Sequence, residues 1–234
     1  MLRSRYVLVA GFLVVAAVCV GLGFWQLRRL QERRAANAVA LAARRAPAVQ
    51  LNGRNLDSSL LQRRVQVTGH YDHAHDIVLR GRPYRGVPGV ELVSPLVPQG
   101  GGTAMLVHRG FLPAPDAVTA DPVPVREPGV IRVEGIALSI DSGQGAPLRR
   151  GEHTTWGRLD RNALRSRLPY PIAPLYIRQT SDSALPRFPR RLDPPALDDG
   201  SHLNYAIQWF AFAAMALVFT GVILRQKRDS GFGT

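Results

Sequence analysis

Two long runs without a charged side chain constrain this chain more than any other feature. The first covers residues 6–27 (YVLVAGFLVVAAVCVGLGFWQL) and the second covers residues 203–224 (LNYAIQWFAFAAMALVFTGVIL). As helices, both would be about 33 Å long, which matches a bilayer hydrocarbon core of roughly 30 Å. A charge at the bilayer centre costs at least about 2.5 kcal/mol, so two such runs in an arginine-rich chain predict two transmembrane helices.

A cleaved signal peptide is the alternative interpretation of the first run. Its apolar stretch exceeds the usual ~7–15 residues, and the sequence GLGFWQL lacks a small-x-small cleavage pattern. We therefore expect an uncleaved anchor. The residues between the two runs are enough for one domain and too few for two.

The net charge of +13 does not indicate a nucleic-acid-binding protein. The arginines are scattered singly and in pairs, and no nucleic-acid-binding motif accompanies them. Headgroup contacts beside a membrane explain them more simply. Cys19 is the only cysteine, so an intrachain disulfide is excluded, and a metal site would depend on His and carboxylate ligands.

Short strand-like segments fill most of the region between the two runs. Runs rich in Val, Ile, Leu and aromatics, punctuated by Gly, Pro, Asp and Ser, begin with RVQVTGHYD (64–72) and continue through DIVLR, GVELVSPLV, AMLVHRGF, GVIRVEGIAL and APLYIRQT. Residues 160–168 are expected to form a short helix with Asp160 as N-cap. The predicted fold class is an α+β membrane protein, in which two transmembrane helices flank one mostly antiparallel β domain resembling a barrel or a sandwich.

The expected organisation along the chain has six parts. They are transmembrane helix 1 (6–27), a helical extension of it (28–45), the β-rich extramembrane domain (46–187), a Pro- and Asp-rich connector (188–202), transmembrane helix 2 (203–224) and a disordered tail (225–234).

Aromatic side chains and one histidine gather where the two helices meet the domain. Antiparallel spans place Trp25 and Trp209 at the same interface, and His202, Tyr205 and Trp209 share one stripe of the second helix. A neutral imidazole at the mouth of such a groove could bind haem iron axially. An aromatic belt that only anchors the helices, and a histidine that only contacts headgroups, are the open alternatives.

The remaining candidate residues have weaker signals. Arg28 and Arg29, with Arg33 and Arg34 a turn further on, could bind carboxylates or phosphates, with lipid headgroups as the default partner. The cluster of His70, His73 and His75 could bind a transition metal but looks like a polar turn. The segment His108-Arg109-Gly110 is expected to be a strand end with a turn glycine. The chain has no Walker loop, GxGxxG, GxSxG or HExxH motif, so we expect no enzyme activity.

Several of these motifs, taken in order, resemble a known family of membrane proteins. GFWQLRRLQERR, RVQVTGHYD, GVPGVELVSPLV, AMLVHRGFLP and HLNYAIQWFAFA resemble conserved segments of the surfeit locus protein 1 family, and the similarity runs from Gly23 to Ala213. This chain departs from the family pattern in having His108 where Asn is usual and Phe111 where Trp is usual.

The resemblance implies a non-enzymatic factor for the assembly of cytochrome c oxidase. The factor would bind haem a transiently and help to insert it into the catalytic subunit, with that subunit, haem a synthase and membrane lipids as partners and a homo-oligomer as an open question. His202 matches the proposed haem contact of the family and Trp209 an aromatic beside it, while Arg28 and Arg29 could meet the propionates. A structural partner that never touches haem, and a membrane-bound enzyme, are the alternatives.

The resemblance also implies a bacterial cytoplasmic membrane protein with both termini in the cytoplasm and the domain on the outer face. Charge alone points the other way, because nine arginines flank the spans on the domain side and five basic residues lie in the tails. The positive-inside rule would place the side with more basic residues in the cytoplasm. It is weak for loops longer than ~60 residues, so we follow the resemblance.

Overall fold

A computed structural model describes residues 2–53, 56–140, 147–150 and 153–229 of the chain. The helices are α1 (Leu2–Arg45), α2 (Arg161–Arg165) and α3 (His202–Asp229). The strands are β1 (Val49–Leu51), β2 (Arg64–Tyr71), β3 (Ile77–Leu79), β4 (Gly89–Pro98), β5 (Ala104–Pro113), β6 (Ile131–Ser139), β7 (Leu148–Arg150), β8 (His153–Trp156) and β9 (Ile172–Gln179). Two compact units result, one from the terminal helical segments and one from residues 40–196.

The helices α1 and α3 are long and apolar enough to cross a membrane. Their most apolar stretches have mean hydropathies of 2.7 and 2.1. The helix α1 continues unbroken through the arginine- and alanine-rich residues 28–45, which are strong helix formers. The helix α3 extends to Asp229, so residues 225–229 are helical rather than disordered as expected, because Arg, Gln and Lys also favour helix. The remaining tail residues lie outside the described part of the chain.

Five strands of the second unit close into a barrel. Around it, β2 pairs with β6, β6 with β9, β9 with β5, β5 with β4, and β4 again with β2. Of these pairings only β5 with β9 is parallel. This is a Greek-key order of the kind found in five-stranded OB-type barrels. The predicted fold class, an α+β membrane protein with a mostly antiparallel barrel-like domain, is therefore confirmed.

The barrel interior is apolar. Alternate residues of β2 point into it, including Val65, Val67 and Tyr71, as the period-two pattern predicts. They meet Leu96 from β4 and Ile177 from β9, which are 0% exposed. This interior fixes the register of the strands, because a slip by one residue would turn these side chains outward.

A second apolar layer covers one outer face of the barrel. It contains β3, β8 and α2, and Trp156, Leu164 and Leu168 are buried there. The helix α2 begins after Asp160, whose carboxylate accepts hydrogen bonds from the backbone N–H groups of Asn162 (3.0 Å) and Ala163 (3.3 Å). The predicted helix has the expected N-cap but is shorter than residues 160–168, since it ends at Arg165.

Candidate functional site

The two long helices meet along a seam of small side chains. From residue 16 to residue 30, every third or fourth residue of α1 is buried, namely Ala16, Cys19, Gly23, Gln26 and Leu30. The buried residues of α3 are Ala206, Ala213, Ala216 and Thr220, at spacings of seven, three and four. Helices in lipid associate through such close backbone packing. Moving an apolar side chain from lipid tails to another helix provides no hydrophobic driving force, so close van der Waals contact must hold the helices together.

Aromatic rings fill the larger gaps along this seam. The rings of Phe12 and Phe219 stack with centroids 5.8 Å apart, and those of Phe24 and Phe210 meet edge to face at 5.4 Å. Gly23 lies directly under the Phe210 ring, since a Cβ at that position would be 2.6 Å from Cε1 of Phe210. The seam therefore requires glycine at this level of α1.

A hydrogen bond joins the two helices where α3 begins. Nδ1 of His202 lies 2.8 Å from Oε1 of Gln26, and Gln26 is only 9% exposed. Because a carbonyl oxygen can only accept, Nδ1 carries a proton and donates it to Gln26, which leaves Nε2 as the ring nitrogen that could bind a metal. The arrangement fixes both the tautomer and the ring orientation of His202.

The other aromatic residues predicted for this site are partly or largely exposed. Trp209 is half-buried, and its ring meets the edge of Phe212 at 5.9 Å. Trp25 and Tyr205 are 46% and 48% exposed, and within the described residues neither ring stacks on the His202 imidazole. The structure thus brings His202 together with Gln26, which the sequence did not single out as a site residue.

Arg28 and Arg29 are exposed on α1 one turn beyond Trp25. A guanidinium nitrogen of Arg29 lies 2.7 Å from a carboxylate oxygen of Glu32, and both side chains are more than half exposed. Such a surface pair stabilises the helix by less than about 1 kcal/mol, so Arg29 can exchange it for another anion.

Three side chains of α1 hold the segment that leads into α3. Nε of Arg34 donates to Asp199 at 2.8 Å, and the Asn37 amide donates to the Asp198 carbonyl oxygen at 2.8 Å. Nε of Arg33 makes a longer contact of 3.4 Å with the same carbonyl. Arg33 and Arg34 had been expected to contact headgroups. The contacts of Arg33, Arg34 and Asn37 with residues 198 and 199 could not be predicted from the sequence, because the partners lie more than 160 residues apart.

The segment His108-Arg109-Gly110 is not a strand end, contrary to expectation. The strand β5 runs through it to Pro113, and Arg109 is an extra residue in a bulge opposite Leu92 and Val93 of β4. Gly110 has φ = 130°, and a Cβ there would be 2.1 Å from the carbonyl oxygen of Arg190. The glycine is therefore needed for close approach to a neighbouring segment rather than for a turn.

The bulge buries Arg109 completely beside a second buried arginine. Nη2 of Arg109 is 2.7 Å, and Nη2 of Arg191 is 2.8 Å, from the same Oε1 atom of Glu127. The Arg109 guanidinium also lies 4.8 Å from the centre of the Tyr71 ring, and burial raises the pKa of that phenol. This buried network is a structural element of the barrel domain.

The three neighbouring histidines make separate contacts. Nδ1 of His73 lies 3.2 Å from Asp76, Nδ1 of His75 lies 2.6 Å from Asp72, and His70 is exposed. Among the described residues, no group of three or more His, Cys, Asp or Glu side chains is placed to hold a metal ion. The side chain of His153 lies outside the described ones.

The fold and the helix seam define a class of protein in which two candidate membrane-spanning helices carry a closed β-barrel domain. The model of the SURF1 family matches residues 13–214, and the chain belongs to that family. It is 28% identical to a SURF1-like protein of Monosiga brevicollis, with 94% of this chain and 88% of that protein covered.

Other relatives show the same span. The chain is 25% identical to a SURF1-like protein of Rickettsia felis, over 92% of this chain and 95% of the relative. It is 25% identical to surfeit locus protein 1 of Rattus norvegicus, over 86% and 71% of the two chains. Membership in the family supports a general role as an assembly factor.

Proposed function

We propose that this protein is a membrane-anchored assembly factor for cytochrome c oxidase that binds haem a transiently and aids its insertion into the catalytic subunit. Family membership supports the assembly role in general. The observation that carries the finer proposal is the hydrogen bond between Nδ1 of His202 and Oε1 of Gln26. A histidine that ligates a metal through one ring nitrogen almost always donates a hydrogen bond from the other.

The residues around His202 fit a haem. Nε2 of His202 would supply one ligand to the haem iron, and Gln26 would hold the ring in the ligating tautomer. The half-buried Trp209 and the exposed Trp25 and Tyr205 would offer aromatic surface at the membrane interface. Haem a has a long isoprenoid tail, so a carrier at the lipid boundary spares that apolar surface from water.

Two further features suit a carrier rather than a permanent haem protein. A single histidine ligand holds iron more weakly than a closed site with two ligands, which favours release to the next protein. The exposed guanidinium groups of Arg28 and Arg29 would bind the propionates, since arginine pairs with carboxylates in a fork geometry. Haem a synthase would supply the haem, and the catalytic subunit of the oxidase would accept it.

The experiment is to purify the full-length protein from cells that make haem a and to record its absorption spectrum. We expect a haem spectrum in the wild type and its loss in His202→Ala. Gln26→Leu should weaken haem binding by roughly 10–100-fold, because the imidazole loses its orienting partner. The matched control is His70→Ala, which removes an exposed histidine of the barrel domain and should leave the spectrum unchanged.

The same experiment distinguishes the alternative in which the protein only stabilises an oxidase intermediate. A colourless wild-type protein in cells with normal oxidase maturation would contradict haem binding and support the structural role. Equal haem content in the wild type and His202→Ala would contradict the assigned ligand.

A further inference from the structure

A cleft of about 610 Å³ lies on the barrel domain, and three exposed arginines line it. One wall is the turn between β3 and β4, and the other is the segment of residues 181–193 that follows β9. The arginines are Arg85, Arg187 and Arg190. Within the part of the chain that the structure describes, their guanidinium groups form no hydrogen bond and no ion pair. Their N–H groups are therefore available to a ligand.

Aromatic rings hold these guanidinium groups in place. The guanidinium carbons of Arg85 and Arg190 lie 5.4 and 5.3 Å from the centre of the Tyr84 ring. The guanidinium carbon of Arg187 lies 5.6 Å from the centre of the Phe188 ring. A guanidinium that stacks on a ring uses its flat face, so the N–H groups at its edge remain free to pair with a carboxylate. Because the groups are already ordered, binding costs less conformational entropy.

The turn that carries Arg85 is tight. The N–H of Tyr84 donates to the Val87 carbonyl oxygen at 2.9 Å, and the N–H of Val87 donates to the Tyr84 carbonyl oxygen at 3.0 Å. Arg85 and Gly86 have φ angles of 49° and 81°, as the two central residues of a type I′ turn require. Asn, Asp or Gly usually occupies the first of these positions, so Arg85 carries backbone strain. Strained residues of this kind cluster at binding sites.

The opposite wall is fixed to the barrel. The backbone of Arg190 exchanges two hydrogen bonds of 2.8 Å with Phe111 of β5. The next residue, Arg191, is buried, and its guanidinium group donates to the Gln179 side chain at 3.1 Å and to the Pro189 carbonyl oxygen at 2.8 Å. Arg190 thus stands on a firm support, and the two walls hold the arginines at fixed positions.

The rest of the lining decides which kind of anion fits. Asp182 and Asp193 also line the cleft, and in the described part of the chain neither forms an ion pair with the arginines. These carboxylates would repel a compact ion with several charges. The partly buried Leu185 and Phe188 add apolar surface. An extended peptide with separated carboxylates can meet the arginines, avoid the aspartates and cover the apolar surface.

We propose that this cleft binds an acidic segment of a partner protein, in which Asp or Glu residues alternate with apolar residues. The carboxylates of the segment pair with the guanidinium groups of Arg85, Arg187 and Arg190. Its apolar side chains contact Leu185 and Phe188. This surface is independent of haem handling, because it uses no residue of the helix seam.

The probe for the test is a short fluorescein-labelled peptide in which Glu and Val alternate. Its control is the same peptide with Gln in place of every Glu. Binding to the full-length protein in a neutral detergent is measured by fluorescence anisotropy, with empty micelles as the reference. We expect the acidic peptide to bind at least tenfold more tightly than the Gln peptide, and the difference to shrink as the ionic strength rises.

Three variants identify the residues responsible. Arg85→Gln/Arg190→Gln removes two guanidinium groups and should weaken binding of the acidic peptide at least tenfold. Tyr84→Leu keeps every charge but removes the ring under both guanidinium groups, so it should weaken binding several-fold, whereas Tyr84→Phe keeps the ring and should bind as the wild type does. The control is Arg132→Gln, an exposed arginine of β6 that lines a different cleft and should leave the affinity unchanged. Melting temperatures verify that each variant is folded.

Three outcomes would overturn the proposal. They are equal affinity for the acidic and the Gln peptide, wild-type binding by Arg85→Gln/Arg190→Gln, and an equal loss of affinity in Arg132→Gln, which would indicate attraction to the overall charge only. Phosphatidylglycerol added to the micelles tests a lipid headgroup as the ligand, and we expect it not to displace the peptide. If it displaces the peptide from the wild type, the cleft binds lipid headgroups and the proposal fails.

Discussion

Glu127 pairs with two buried arginines through a single carboxylate oxygen. The side chains of Arg109 and Arg191 are 0% and 3% exposed, and that of Glu127 is 14% exposed. Charges in such a place are tolerated only when they are paired and hydrogen-bonded, because removal from water costs several kcal/mol per ion. The stability of this part of the domain therefore depends on the carboxylate of Glu127.

We predict that Glu127→Gln destabilises the domain by about 3–5 kcal/mol, because it leaves two guanidinium groups buried side by side without their shared anion. The melting temperature of the full-length protein, followed by near-ultraviolet circular dichroism, measures this. The matched control is Glu134→Gln, which removes a carboxylate paired with Arg64 at the surface. That change should cost less than about 1 kcal/mol, and equal losses in the two variants would contradict the prediction.

Sequence reasoning could not identify these buried arginines. Arginine is among the residues least often buried, so Arg109 is naturally read as a strand end. Its partner Glu127 comes 18 residues later in a Pro-containing loop, and Arg191 comes 64 residues after that. The position of His202, by contrast, follows from the apolar run that it precedes. Its partner Gln26 could have been found from the spacing of three and four residues between Cys19, Gly23 and Gln26.

The packing of α1 against α3 depends on the absence of a side chain at Gly23. Gly23 and Gly21 are two residues apart on the same helix, yet a Cβ at Gly21 would have no atom within 4 Å, whereas one at Gly23 would meet the Phe210 ring. The two glycines therefore provide a pair of positions that differ only in the face of the helix they occupy.

We predict that Gly23→Leu separates the helices while Gly21→Leu does not. Cys19, the only cysteine, is 6% exposed within the seam and serves as a natural probe of this packing. In detergent, the rate of maleimide labelling of Cys19 should rise at least tenfold in Gly23→Leu and stay near the wild-type rate in Gly21→Leu. Overpacking of this kind costs about 1–3 kcal/mol, so a rate that is unchanged in both variants would show that the seam does not close as described.

Among the strands, those recognised from the sequence are the ones with a clear alternating or apolar pattern. The six segments that begin with RVQVTGHYD correspond to β2, β3, β4, β5, β6 and β9. The strands β1, β7 and β8 have only three or four residues each, too few to show a period of two. The parallel pairing of β5 with β9 could not be predicted from the sequence either, because it joins segments far apart in the chain.

At the scale of the whole molecule, two carboxylates make the barrel domain sensitive to acid. Burial raises the pKa of Asp72, but hydrogen bonds from Tyr170 and His75 outweigh it and hold that pKa below its ordinary value. Burial likewise raises the pKa of Glu91, but the hydrogen bond with His108 and the positive charges around the carboxylate, among them Arg178 and Arg82, outweigh it and hold that pKa below its ordinary value. Because the folded state favours the ionised carboxylates, their contribution to stability is present above their ordinary pKa values, near 4, and is lost as pH falls through the lower folded values.

We therefore predict a melting temperature that is nearly constant between about pH 7 and 5 and falls below about pH 4. The double variant Asp72→Asn/Glu91→Gln should melt at a lower temperature at neutral pH and show a shallower decrease in acid. A variant whose melting temperature falls as steeply as that of the wild type would show that other groups cause the acid sensitivity. Circular dichroism melts of the full-length protein across this range measure both curves.

We also predict the topology of the chain in the membrane. Two spans in opposite directions leave both termini on one side, and we expect that side to be the cytoplasm and the domain to face outward. Reporter fusions at each end and within the loop between β4 and β5 measure this directly. Cytoplasmic activity of the loop fusion would reverse the proposed orientation, as the nine arginines flanking the spans on the domain side would favour.

The order of strands in the barrel has a consequence for how the chain is made. The strand β9 lies between β5 and β6, although it is the last of the three to be synthesised, and only residues 180–201 separate it from α3. Until β9 is synthesised, the edges of β5 and β6 that will pair with it have backbone N–H and C=O groups without a strand partner. Such edges can pair with strands of other chains. A polypeptide terminated before residue 172 should therefore aggregate or be degraded rather than persist as a smaller working protein.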